Sequence, residues 1–179
     1  MKVAERENKI ELTEREKNNR SILQDKKPIA WEKIRKFPER FENRESTALI
    51  QIQYNYKCNM ACSHCAIEKF RDNLGKDRLA IADVKRIADQ ADAIGLASIC
   101  ISGGEPLIFP DLGEIIDAIG PERFVISMDT NGLKLTDEKV KWLVDKGVDR
   151  IHLSLDGLEE NHNKFRRVKV NSWKKNIEA

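Results

Sequence analysis

Residues 49–65 read LIQIQYNYKCNMACSHC, a strand-like apolar alternation that runs into three cysteines, Cys58, Cys62 and Cys65, with three and then two residues between them. Three thiols within eight residues are too close together to staple a fold. The number is odd for a disulfide framework and one short of the four ligands that close a structural zinc site. On the residues alone the trio is either a zinc site completed by His64 or by the distant Cys100, or a metal centre with one position left open. An iron–sulfur cubane held by three thiolates would leave one iron free for another ligand.

The remainder of the chain frames that loop. Its 179 residues suit one domain, and 40% hydrophobic with 35% charged residues is an ordinary globular balance. With 32 basic against 30 acidic residues the net charge is +2, so no large field argues for nucleic acid or an anionic membrane. The first twenty residues are densely charged where a secretory leader would be apolar, and no apolar run is long enough to span a bilayer. The expected compartment is the cytoplasm.

From residue 49 onward, β-rich runs alternate with helical patterns, which predicts βα units on a parallel sheet. The strands fall at Leu49 to Tyr54, Ser98 to Ser102, Phe124 to Met128 and Arg150 to Leu155. Between the first two, Ile81, Val84, Ile87, Ala88, Ala91 and Ile94 recur at helical spacing, with Gly95 as the stop. A second helix is expected from Pro110 to Gly120, and a third from an N-cap at Thr136 to Gly147. A further helix begins near Ser172. Residues 1–48 differ: rich in Glu, Lys, Arg and Asn, they read as one or two helices interrupted near Pro28 and Pro38. Ile10, Ile22, Leu23, Trp31, Ile34 and Phe37 are the expected docking anchors of this charged N-terminal extension, the alternative being a substrate-facing arm.

In parallel α/β architectures ligands gather at the carboxyl ends of strands. The unusual residues fall there: CNMACSHC after the first strand, SGGEP (102–106) after the second, DTNG (129–132) after the third and SLDG (154–157) after the fourth. Gly103 and Gly104 permit close backbone approach, and Glu105 offers a carboxylate to an ammonium. Asn131, Ser154 and Asp156 sit in turn-forming dipeptides, so turn chemistry alone also accounts for them. Cys100, inside the apolar run SICIS, reads as a buried core thiol. His152 and His162 have no partner visible in the sequence, and the three tryptophans read as packing residues.

CxxxCxxC after the first strand, GGEP after the second and SLDG after the fourth resemble the radical S-adenosylmethionine enzyme superfamily over residues 49 to about 168. The resemblance implies a partial parallel (βα) barrel in which Cys58, Cys62 and Cys65 ligate a four-iron four-sulfur (4Fe-4S) cluster. S-adenosyl-L-methionine then chelates the fourth iron and is cleaved reductively to a 5′-deoxyadenosyl radical that abstracts hydrogen from a substrate. It implies that Gly103, Gly104, Glu105 and Pro106 hold the methionine ammonium, that His64 lies near the adenine, and that Asn131, Ser154 and Asp156 contact the ribose or carboxylate. Arg166 or Arg167 would be further candidates for that carboxylate. A flavodoxin- or ferredoxin-type reductant is the implied partner, and the TNG and SLDG phrasing resembles the peptide- or protein-modifying subset. The family core has six βα units and four are read here, so residues 49–179 are expected to be a truncated core, either active or a cluster-binding fragment without turnover.

Overall fold

The computed structural model describes residues 13–70 and 78–178. Three helices come first: α1 (Glu14–Lys26), α2 (Pro28–Arg35) and α3 (Phe37–Glu42). Both prolines mark boundaries as expected, but as starting residues. Each lies in the first turn of a helix, where its missing N–H costs nothing, so the extension carries three helices where one or two were expected. Thr13 caps α1 through a box with Glu16, whose carboxylate accepts from the Thr13 N–H at 2.8 Å.

Then follow β1 (Ile50–Asn55), α4 (Ile81–Ala93), β2 (Ser98–Gly103), α5 (Leu112–Ile119), β3 (Val125–Thr130), α6 (Asp137–Asp145), β4 (Arg150–Leu153), α7 (Glu159–Arg166) and α8 (Ser172–Glu178). Helix α5 begins two residues after Pro110, because Pro106–Ile108 already form a separate 3-10 turn. Strand β3 runs to Thr130, past the expected end at Met128, and β4 stops at Leu153, before Leu155. Helix α7 was not anticipated; the segment reads as a polar loop because its buried member is a histidine, His162, and no apolar stripe marks a face.

All strand pairs are parallel and the order is β1-β2-β3-β4. With right-handed crossovers, an order that never reverses puts every connecting helix on one face of the sheet, the barrel arrangement rather than the doubly wound one. The core confirms it: Ile52, Tyr54, Ile99, Ile101, Ile126 and Met128 from alternate strand positions pack with Val84, Ala88 and Ala91 of α4 and Leu112, Ile115, Ile116 and Ile119 of α5. The intervening positions, Gln51, Cys100, Ser127, Asp129 and His152, form a polar band on the opposite, concave face. Cys100 is buried, yet it belongs to this band and not to the apolar core.

The N-terminal helices close the end of the sheet opposite the cysteine loop, and they do so with cations. Lys27, only 6% exposed, donates to the carbonyls of Phe124 (3.0 Å) and Gly147 (2.6 Å) and pairs with Asp149. Lys33 donates to the carbonyls of Leu96 (3.1 Å) and Arg123 (2.9 Å) and pairs with Asp92. Arg40 reaches Ile94 O at 2.8 Å. These acceptors precede β2, β3 and β4, so the arm does not face the strand ends where the expected site lies. Of the expected anchors, Leu23, Trp31, Ile34 and Phe37 are half-buried, Ile22 is exposed, and Ile10 lies outside the described residues. The docking is therefore chiefly polar. Lys27→Met should lower unfolding free energy by about 2–3 kcal/mol, since Asp149 and two carbonyls lose a buried donor; urea denaturation measures it.

Candidate active site

One cavity at the carboxyl ends of the strands is lined by Cys58, Cys62, His64, Cys65, Gly103, Gly104, Glu105, Asn131 and Ser154, together with Ser102, Asp129, Thr130 and Arg166. The structure thus gathers nine of the eleven residues to which the resemblance assigns a site role, with Arg166 but not Arg167 of the two further candidates. Pro106 is buried behind the lining as the first residue of the 3-10 turn, and Asp156 stands behind Arg166.

The glycines are required by the chain's own packing. A Cβ at Gly104 would lie 2.0 Å from Lys57 O, and one at Gly103, where φ is +127°, would lie 2.4 Å from Asn55 O. Gly104 N–H donates to Asn55 O at 2.8 Å and Glu105 N–H to Lys57 O at 2.9 Å. The close approach expected of this pair is therefore to the segment that leads into the cysteines, which it presses against the end of β2.

Glu105 is also engaged by the chain itself. Its carboxylate is 1% exposed and accepts from Thr130 Oγ1 (2.6 Å), Leu107 N–H (3.0 Å) and Asn131 N–H (2.7 Å). Burial pushes this carboxyl above the usual carboxylate range, with the three donors pulling the other way. It stands as a brace between the ends of β2 and β3, where sequence suggested a carboxylate free for an ammonium. Asn131 extends the brace: its Nδ2 donates to Asn59 Oδ1 at 2.8 Å within the cysteine loop, and its own Oδ1 accepts from Leu133 N–H at 3.0 Å. Asn131 thus makes the turn and also tethers the loop. Thr130 and Asn59 were missed by sequence reasoning, because a strand-end threonine and a loop asparagine carry no signal until their partner is known.

The other side of the loop is held by α7. Ser63 N–H and Oγ both donate to Phe165 O, at 2.8 and 3.2 Å, and the His64 ring meets the Phe165 ring edge-on at 5.8 Å. Arg166 makes a two-point pair with Asp156 (2.6 and 3.1 Å), and its Nη1 lies 4.0 Å from Cys62 Sγ. The Asp156 carboxyl is held below its ordinary range by that guanidinium. Burial opposes the charge on Arg166, but Asp156 and Cys62 outweigh it and hold its pKa above the usual value. His162 locks the assembly: Nδ1 accepts from Asp156 N–H at 3.2 Å and Nε2 meets Ser172 Oγ at 2.9 Å. Since Ser172 donates its hydroxyl proton to Asn163 Oδ1 at 3.1 Å, His162 must carry its proton on Nε2 and be neutral.

Burial pushes the Cys58 and Cys62 thiols up. The three cysteine sulfurs do not all come within 4.8 Å of one another. Cys100, the distant fourth ligand that a zinc site would draw on, lies instead with Asp129 and His152 and outside the cavity lining.

The fold, the open thiol trio and the braced glycine turn define a class, and comparison with known proteins agrees: the model of the Radical SAM superfamily matches residues 52–179. The chain belongs to the Radical SAM superfamily, whose members use a 4Fe-4S cluster and S-adenosylmethionine. Among curated relatives, it is 34% identical over 115 residues to GTP 3',8-cyclase of Clostridium perfringens (strain 13 / Type A), covering 63% of this chain and 35% of that protein. To the probable GTP 3',8-cyclase of Methanococcus maripaludis (strain C5) it is 37% identical over 127 residues, covering 68% and 41%. The chain thus spans about a third to two-fifths of these relatives. Among solved structures, Streptococcus suis SuiB bound to S-adenosylmethionine superposes with a TM-score of 0.57 at 21% identity, over 79% of this chain and 31% of that one. BtrN in an open conformation gives 0.51 at 21% identity, over 66% and 55%.

Two predictions follow from the brace and the lock. Glu105→Gln turns an amide N–H₂ toward one of three donors and should cost about 1–3 kcal/mol in urea denaturation. His162 has its pKa lowered below 6.5 by burial, so the unfolded chain binds its proton first. The stability His162 contributes is therefore complete above about pH 6.5 and is lost as pH falls below it. Thermal unfolding from pH 7.5 to 5.5 should show this slope, and His162→Ala should flatten it.

Proposed function

We propose that this chain is the cofactor-handling part of a radical S-adenosylmethionine enzyme, with Cys58, Cys62 and Cys65 as cluster ligands. The observation that carries the proposal is that all three thiols open onto the same cavity as the Gly103–Gly104–Glu105 turn. When bound, a 4Fe-4S cluster with S-adenosylmethionine supplies one-electron cleavage of the sulfonium and hence a radical able to abstract hydrogen.

The chain's residues set the stage for that chemistry. Three thiolates on one short loop leave one metal position for the methionine headgroup. Glu105 and Asn131 hold the loop against the ends of β2 and β3, which keeps the cavity wall in one shape. Arg166, steered by Asp156, sets a positive charge beside Cys62 and offsets the charge of a bound thiolate. Gly103, Gly104 and Ser154 contribute backbone and hydroxyl groups to the cofactor side, Pro106 fixes the turn, and His64 stands at the mouth beside Phe165. An external flavodoxin- or ferredoxin-type protein would deliver the electron. No described helix is long and apolar enough to cross a membrane.

For the substrate there are two readings. The sequence phrasing supports a peptide or protein, while the relatives at 34 and 37% identity, named for GTP cyclisation, support a purine nucleotide. Hydrogen abstraction assayed in parallel with GTP and with a peptide pool separates them.

Anaerobic reconstitution with iron and sulfide should give about four irons per chain, and dithionite with S-adenosylmethionine should then yield 5′-deoxyadenosine. Cys62→Ala should reduce both to background while circular dichroism stays native. Zinc in place of iron in the reconstituted protein would overturn the proposal.

A further inference from the structure

The concave face of the sheet carries a second group of metal-binding side chains. Cys100 on β2, Asp129 on β3 and His152 on β4 place a sulfur, a carboxylate oxygen and an imidazole nitrogen within 4.8 Å of one another. Asp129 and His152 are direct register partners, and Cys100 pairs with Ser127, one step along the same face of β3. The three side chains therefore come from rigid neighbouring strands, the setting in which metal ligands are best preorganised.

The local contacts orient the donors. His152 Nδ1 lies 3.0 Å from Asp129 Oδ1, close to the roughly 3.3 Å edge of a tetrahedron around zinc. Gln51 Nε2 donates to the other carboxylate oxygen at 2.8 Å and so fixes the carboxylate plane, as outer hydrogen bonds do around metal ligands. Cys100 is 5% exposed, whereas His152 is exposed at the rim of the group. One thiolate and one carboxylate would neutralise a divalent cation, which suits a half-buried position.

We infer that Cys100, Asp129 and His152 form a site for a divalent transition-metal ion, zinc by the match of one sulfur, one nitrogen and one oxygen donor. Three protein donors leave a fourth position for water or a ligand, the pattern of open zinc sites. Asp129 also lines the cavity of the three cysteines, so an ion there puts a Lewis acid on that cavity's wall. The site is separate from the cysteine loop and does not depend on a cluster being bound.

The test is a cobalt(II) titration of the full chain carrying Cys58→Ala, Cys62→Ala and Cys65→Ala, in which Cys100 is the sole remaining thiol. One equivalent should bind with a sulfur-to-cobalt charge-transfer band. Adding Cys100→Ser should abolish the band, and adding His152→Ala should weaken binding by at least about tenfold. No binding, binding without the band, or a titration unmoved by either substitution overturns the site. Should the triple variant fail to fold by circular dichroism, zinc and iron are measured together in dialysed wild-type protein. Loss of one zinc per chain on Cys100→Ser then supports the site, and unchanged zinc overturns it. Because zinc is counted apart from iron and from 5′-deoxyadenosine, failure here is distinguishable from failure of the proposed enzyme function.

Discussion

Glu105 places a carboxyl where it is 1% exposed, and the chain meets it with a hydroxyl and two backbone N–H groups. A buried carboxylate left alone would cost several kcal/mol, so its three donors must arrive together. Their arrival fixes the end of β3 against the turn after β2. Through Asn131 and Asn59, and through the carbonyls of Asn55 and Lys57, the same constraint sets the course of the cysteine loop. The thiol trio is positioned from one side by this brace and from the other by α7, and neither contact involves a thiol as its principal partner.

That arrangement explains what could be read in advance. The strands and α4, α5 and α6 were legible because apolar residues alternate or recur with a period set by burial on one face. The loops at strand ends were legible as a site because cysteines, a glycine pair and acidic residues accumulate where four strands finish. Their individual roles were less legible. GGE reads equally well as a ligand cradle or as a close packing of the chain on itself, and the packing role becomes visible only in the 2.0 Å approach of a hypothetical Gly104 Cβ to Lys57 O.

The parts that stayed hidden share one physical cause, namely burial of polar rather than apolar groups. Helix α7 hides a histidine, and the N-terminal helices dock through lysine ammonium groups on backbone carbonyls. A hydrophobic period cannot report such contacts, because a lysine that binds the carbonyls preceding the strands looks like any solvated lysine until its partners 63 to 120 positions away are known.

The arm's lysines also separate two boundaries that usually coincide. Family likeness begins at residue 52, yet the carbonyls of Leu96, Arg123, Phe124 and Gly147, well inside the matched stretch, receive their donors from Lys27 and Lys33 outside it. The evolutionary module is thus smaller than the cooperative one. A barrel segment transplanted at the homology limit would carry its catalytic mouth intact and leave its floor electrically unfinished, so any chimaera of this chain has to inherit Lys27 and α2 along with the strands.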